Sequence, residues 1–251
     1  MGVPLFFKFL TQKYPDIIKK YDKNLLKINE LFFDFNGLIH PACSKARSEY
    51  LDNANTNYSE DILYSKMLKK IKDQTDNIIN ITDPSDYILL AVDGVAPLAK
   101  INQQRSRRYK SRLYQSKVNK IKEKYNIAQD TWDTNAISPG TPFMNKLMTD
   151  LEKFVEICNS KNTCKTELNT SNNPGEGEHK ILKYIKENNT DNTRNKVIYG
   201  LDADLIMLAI ASNVSNIYLL RESVHFGKVD DDEYLLLDID CLKRHLCNEI
   251  K

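Results

Sequence analysis

The chain carries five cysteines (Cys43, Cys158, Cys164, Cys241 and Cys247), an odd number with no CxxC pair among them. These read as reduced thiols of an intracellular protein, cytoplasmic or nuclear, and as neither a disulfide framework nor a zinc site. No run of 18 apolar residues occurs, so no membrane span is expected. The N-terminus lacks the charged and apolar regions of a secretory signal. Phe6 stands where a myristoylation motif needs Ser or Thr. Glycine is scarce, with eight in 251 residues. Seven of them (Gly2, Gly37, Gly94, Gly140, Gly175, Gly177 and Gly200) fall in short stretches that read as loops around a site, and Gly227 does not. Net charge is also nearly absent, at +2.

That near-neutrality hides a strong asymmetry. Ten Lys or Arg and one acid, Glu123, lie between Lys100 and Lys124, so this stretch carries +9 and leaves −7 for the rest. A long helix from about Pro97 to Tyr125 that handles a polyanion is the expectation. It follows an apolar run, Tyr87–Val92, that ends on Asp93 and turns through Gly94-Val95-Ala96-Pro97.

Other short apolar runs, at Leu31–Phe33 and Val197–Tyr199, read as buried parallel strands. Weaker strands are expected at 164–168, 217–220 and 234–237. Helical spacing is expected over 4–14, 37–43, 59–81 (Ser59 as N-cap), 143–158, 174–185 (Pro174 in its first turn), 205–211 and 240–250 (Asp240 as N-cap). Residues 44–58 read as a polar surface loop, and 221–233 as a linker. Strands alternate with helices, which predicts an α/β fold with a mostly parallel sheet in a single domain over residues 1–251.

Three apolar strands lead into acids: Asp34, Asp93, and Asp202 with Asp204. Ligands of open α/β sheets sit beyond the carboxyl ends of the strands, so these acids are expected at one edge. The turn Pro174-Gly175-Glu176-Gly177-Glu178-His179 adds two more. Six carboxylates in one pocket repel one another unless a cation is present. Mg²⁺ takes oxygen ligands, and two ions about 3.5–4 Å apart can clamp the attacking and leaving oxygens of a phosphodiester. Taken singly, Asp93 or Asp202 reads first as a helix cap; it is the six together, at strand ends and in a Gly turn, that read as a shared site. On the basic helix, Lys100, Gln104 and Arg107 share a face that Arg108 borders, a phosphate-binding set of ammonium, amide and guanidinium. Lys110, Arg112, Lys117, Lys120, Lys122 and Lys124 are open to two readings, generic backbone contacts or a solvated face. His40 is open between stacking on a base and a structural role. His179 reads as a hydrogen bonder behind Glu178, and Trp132 as packing.

Six stretches, in order, carry a resemblance: MGVPLFFKFLTQKYP, FDFNGLIHPAC, AVDGVAPLAKINQQRSRRY, TWDTNAISPGTPFM, PGEGEHKI and YGLDADLIMLA. They resemble the N-terminal motifs of the eukaryotic Xrn family of 5′→3′ exoribonucleases. The resemblance implies a PIN/flap-nuclease-like α/β domain that uses Mg²⁺ or Mn²⁺, with two ions expected. It implies release of 5′-mononucleotides from single-stranded RNA bearing a 5′-monophosphate. By motif match, Asp34, Asp93, Glu176, Glu178, Asp202 and Asp204 are the metal-site and catalytic acids. Lys100, Gln104, Arg107 and Arg108 match the 5′-phosphate pocket, His40 matches the base-stacking residue, and Gly2 and Val3 match a segment near the site. The family's second conserved region, with a GNDFLPH-type motif, has no counterpart in the sequence. An incomplete module that binds 5′-monophosphate RNA, or a DNA flap-type nuclease, are the alternatives, and the second region in cis or in trans is an expected partner. A monomer without membrane contact is expected.

Overall fold

The computed structural model describes residues 5–52, 59–125, 132–161, 164–189, 191–200, 202–225 and 228–250. A seven-stranded sheet forms its middle layer. In chain order the strands are β1 (Ile18–Lys20), β2 (Glu30–Asp34), β3 (Tyr87–Ala91), β4 (Lys165–Asn169), β5 (Lys196–Tyr199), β6 (Ile217–His225) and β7 (Lys228–Asp238). Their spatial order is β1-β7-β6-β5-β2-β3-β4. The pairs from β6 through β5, β2 and β3 to β4 are parallel, while β7 runs antiparallel to both β6 and β1. The mostly parallel α/β architecture is as expected, with an antiparallel margin that the sequence reading did not contain.

The period of two along each strand divides the core. Leu31 and Phe33, Ile88 and Leu90, and Val197 and Tyr199 face one apolar layer. Phe32, Leu89 and Ile198 face the other. The first layer is closed by α2 (Phe35–Asp52), α3 (Glu60–Thr82) and α5 (Pro142–Ser160), through residues such as Ile39, Met67 and Leu147. The second is closed by α1 (Phe6–Lys13), α6 (Gly177–Asn188), α7 (Asp204–Ala211) and α8 (Ile239–Ile250). Strands buried on both faces need continuous apolar runs, and these have them.

Several boundaries differ from the sequence reading. The helix after β2 begins at Phe35 and runs to Asp52, so residues 44–52 are helical rather than a surface loop. Among the described residues there, only Ala46 and Tyr50 are buried against the core, continuing the stripe of Ala42 and Cys43, too sparse to stand out among polar neighbours. Residues 53–58 of that predicted loop lie outside the described residues. Ser59 takes the N-cap position of α3, but its side chain makes no capping hydrogen bond. The predicted linker 221–233 contributes instead to the antiparallel pair β6 and β7. Helix α6 begins at Gly177, and Pro174 precedes it. At α8 the capping acid is Asp238, which accepts the Cys241 N–H at 2.8 Å. Asp240 accepts the Asn216 N–H at 2.6 Å instead.

Helix α4 (Leu98–Lys124) matches its predicted span, and none of its residues is buried. Its cations therefore face solvent or the cleft at its base. The turn ahead of it is strapped to the loop entering α6: Gly94 N–H donates to the Gly175 carbonyl at 2.8 Å, and Gly175 N–H to the Val95 carbonyl at 2.9 Å. A Cβ on Gly94 would lie 1.8 Å from the Asn173 carbonyl oxygen, which is backbone and cannot swing away. Gly94→Ala is therefore expected to destabilise the protein by about 3 kcal/mol, read as a lower denaturant midpoint at unchanged m-value. A loss below about 0.5 kcal/mol would mean the strap is loose.

Candidate active site

The carboxyl ends of β2, β3 and β5 open onto one cleft of about 1000 Å³. Asp34, Asp93, Glu176, Glu178, Asp202 and Asp204 all line it, as do Lys100, Gln104, Arg107, Arg108 and His40. Gly2 and Val3 lie outside the described residues.

Asp34 ends β2 and is only 8% exposed. Its carboxyl is held well above the ordinary range, first by burial and then by the charges of Asp93, Glu178, Asp202 and Glu176. Asp93 is raised as well, by burial, although the Gly177 N–H it accepts at 2.7 Å opposes the shift. That bond settles one ambiguity. Asp93 meets the first turn of α6, not of α4, whose N-cap position is Pro97. Glu178 is pushed up to about 7, by burial and then by Glu176. Gly177 is required by the close approach: a Cβ there would sit 2.8 Å from the Ala91 carbonyl, 2.8 Å from Asp34 Oδ1 and 3.4 Å from Asp93 Oδ1. The absence of a side chain lets two carboxylates converge on the start of a helix.

Two cations temper this negative pocket. Lys100 Nζ lies 3.0 Å from Glu176 Oε1. Burial pulls Lys100 down, but its hydrogen bond to Glu176 and the charges of Glu176, Glu178 and Asp204 win and raise it. Lys180 is 9% exposed and donates to the carbonyls of Val92 at 2.7 Å and Thr170 at 2.9 Å. Burial lowers it to about 8. It pins the end of β3 to the loop after β4, and its donors are spent on backbone. Six carboxylates against these cations remain under-compensated. An all-oxygen donor set in that state fits a hard divalent cation. Glu176, Glu178 and His179 also bring ligand atoms within 4.8 Å of one another. His179 is exposed and stands 3.7 Å from Glu178, consistent with an accessory place rather than one in the cleft lining.

Metal-stripped protein is expected to lose stability as pH rises from about 4.5 through 7. Asp34 and Glu178 hold their protons more tightly folded than unfolded, so their contribution is full below the unfolded value and lost on passing the folded one. For Glu178 alone the loss amounts to about 3 kcal/mol. Thermal melts across this range, with and without Mg²⁺, check it. Mg²⁺ is expected to flatten the decline, and a flat profile without metal contradicts the charge crowding.

Lys100, Gln104, Arg107 and Arg108 sit on the cleft side of α4. His40 is an exposed residue at the cleft, where partial desolvation by its neighbours and then the Arg107 charge lower its pKa. Pro41 in α2 cannot donate to the carbonyl of Gly37, and both residues line the cleft. The sequence reading missed several lining residues. Asn36 accepts the Asp93 N–H at 3.0 Å and so positions that acid. Gln103, Ser106 and Ser111 extend the α4 face, Lys110 proves to line the cleft rather than a purely solvated face, and Thr134, Asn135, Ile137 and Pro139 complete the lining. Helical spacing from Arg107 was the signal available for Lys110 and Ser111. Residues 134–139 lie in the stretch TWDTNAISPGTPFM, which carried the resemblance but was given no role in the site. Arg112 is paired with Asp133 at 3.5 Å, and Trp132 is buried edge-on to Phe143. No helix among the described residues is long and apolar enough to cross a membrane.

Residues 1–223 match the family described as XRN 5'-3' exonuclease N-terminus. The chain is 33% identical over 271 residues to 5'-3' exoribonuclease 2 of Aspergillus oryzae, covering 90% of this chain and 25% of that protein. It is 34% identical to the protein of that name from Eremothecium gossypii, over 89% of this chain and 27% of the other. For Saccharomyces cerevisiae the figures are 35%, 89% and 25%. The chain thus spans about a quarter of the length of the curated relatives it matches. With the match running over nearly all of its residues, the chain belongs to the XRN 5'-3' exonuclease N-terminus family.

Proposed function

We propose that this domain removes 5′-mononucleotides from single-stranded RNA carrying a 5′-monophosphate, with divalent cations held by Asp34, Asp93, Glu176, Glu178, Asp202 and Asp204. The observation that carries this reading is the Lys100–Glu176 pair. It joins the cationic face of α4 to the carboxylate cluster inside one cleft. A terminal phosphate bound by Lys100, Gln104, Arg107 and Arg108 therefore lies beside the acids, which places the first phosphodiester at the reacting centre. Recognising the end by its charge makes the cut one nucleotide in from it. His40, at the lip, stacks on the first base. Lys180 and Asn36 hold Asp93 and the β3 terminus in place. Mg²⁺ or Mn²⁺, two ions in this reading, supplies charge neutralisation and Lewis acidity at the scissile phosphate. We read residues 1–251 as one nuclease domain, acting as a monomer.

The test uses RNA labelled at its 3′ end, with either a 5′-monophosphate or a 5′-hydroxyl, incubated with the chain and Mg²⁺. Loss of the monophosphate RNA alone, without internal fragments and sensitive to EDTA, is the expected result. Internal fragments or equal cutting of both RNAs would overturn it. Phosphate-dependent binding without cutting would identify a capture module, and the family's second conserved region would then be supplied in trans. Faster cutting of flapped DNA than of RNA would favour the flap-nuclease alternative.

A further inference from the structure

A second cluster of ligand-type side chains lies far from the cleft. Asp16 precedes β1, in the short 3-10 turn Pro15–Ile17, and Cys241 and His245 lie one turn apart on α8. His245 Nε2 is 2.9 Å from Asp16 Oδ1 and 2.8 Å from Oδ2. Cys241 Sγ is 3.6 Å from Asp16 Oδ2. The three ligand atoms all lie within 4.8 Å of one another. Topology places them at the opposite edge of the sheet. β5 ends at the cleft and β6 is parallel to it, so β7, antiparallel to β6, ends at the other edge, where α8 begins. β1 pairs antiparallel with β7, with Ile18 opposite Leu237, so Asp16 reaches that same edge.

We propose that Asp16, Cys241 and His245 form a binding site for Zn²⁺ or a similarly thiophilic divalent cation, which staples the N-terminal segment to α8. Three arguments support it. Cys and His four residues apart on a helix point to one side and converge on a common atom. Sulfur, imidazole nitrogen and carboxylate oxygen together are the donor set of zinc, not of Mg²⁺. Zinc bond lengths of about 2.0–2.3 Å imply ligand-to-ligand edges of roughly 3.3–3.7 Å in a tetrahedron. The sulfur–oxygen separation already has that value, and the nitrogen–oxygen one needs to open by about half an ångström, which a side chain as exposed as Asp16 can supply. The imidazole is also pre-oriented: stacking on Tyr14 at 4.8 Å with 26° between planes holds the ring plane, and the Asp16 contacts turn Nε2 toward the carboxylate. Asp16 and His245 are partly open to solvent, which leaves a fourth position accessible to water.

The two metal sites are thus sorted by donor chemistry: all-oxygen at the cleft, mixed sulfur and nitrogen at the far edge. The consequence is measurable without RNA. Metal-stripped full chain titrated with Co²⁺ is expected to develop a thiolate-to-cobalt charge-transfer band at one equivalent, displaced by Zn²⁺ and untouched by millimolar Mg²⁺. Cys241→Ser is expected to remove the band, while Cys247→Ser and the double variant Cys158→Ser with Cys164→Ser keep it. Zn²⁺ is expected to raise the melting temperature of the parent chain by several degrees and of Asp16→Asn by less. Zinc affinity should fall in His245→Gln by more than the about 10–100-fold that outer-shell partners are worth. His245→Cys separates a metal site from a plain Asp–His bond: it abolishes the bond yet should restore zinc binding. A band that survives Cys241→Ser, or zinc stabilisation equal in parent and Asp16→Asn, would overturn the proposal and assign the metal to the carboxylate cleft or to another thiol. If metal-free Cys241→Ser melts like the parent, a folding defect is excluded as the cause of lost binding.

Discussion

Glu178→Gln and Asp204→Asn, made separately, are expected to lower cleavage of 5′-monophosphate RNA by about a thousandfold or more in Mg²⁺. Removing a charged donor from a metal cluster forfeits several kcal/mol of transition-state charge stabilisation. RNA binding should change little, because the side chains proposed to hold the 5′-phosphate are on α4. The two variants carry different information about stability. Glu178 is buried among acids and already poised near 7, so a neutral amide there resembles its protonated form. Metal-free Glu178→Gln should therefore melt at or above the parent at pH 8, and its decline in stability between pH 4.5 and 8 should be smaller. Single-turnover cleavage and filter binding on the same preparations give the readout. Retained cleavage in both variants would remove these acids from the reaction. A large fall in binding alongside cleavage would mean the carboxylates shape the RNA path instead.

Arg107→Ala combined with Arg108→Ala is expected to erase the preference for a 5′-monophosphate over a 5′-hydroxyl end. Each charge-assisted hydrogen bond to phosphate is worth about 1.5–3 kcal/mol, so losing two reduces the discrimination by about a hundredfold or more. The effect should appear on the phosphorylated RNA, with the hydroxyl RNA nearly unchanged, since no contact to it is removed. Arg107 provides an internal check. Its charge is the second cause, after desolvation, of the depressed His40 pKa, so His40 should titrate at higher pH in the double variant. A proton NMR titration of the His40 ring measures this without substrate. Unchanged discrimination would move the end-binding site elsewhere. An unmoved His40 would mean that Arg107 points away from the cleft in solution.

Much of this geometry was legible because it is local. Apolar runs that end on acids mark strands whose ends are functional, and the parallel ladders put Asp34, Asp93 and Asp202 where strand-end acids belong. The 27-residue length of α4 was readable because nothing in it breaks a helix. What failed was of two kinds. The helical stretch 44–52 was hidden because, of its described residues, only Ala46 and Tyr50 are buried, among polar and charged neighbours. The strand at 234–237 was expected, but the antiparallel direction of β7 and the whole of β1 were missed, because pairing across an antiparallel edge leaves no periodic signal in a three-residue strand such as Ile18–Lys20.

The sequence by itself determined the order of strands and helices, the positions of the acids and the charge asymmetry of α4, since periodicity, composition and turn residues act over a few neighbours. Only the tertiary structure decided which partner each polar group found. Asp93 reaches across 84 positions to the first turn of α6 rather than capping the helix beside it. Lys180 spends its charge on the Val92 and Thr170 carbonyls. Asp16 meets Cys241 and His245 across more than 220 positions. A buried or crowded polar group must be satisfied by whatever the packed elements bring within about 3 Å. That choice is made by the sheet order and helix packing, which no short stretch of chain encodes.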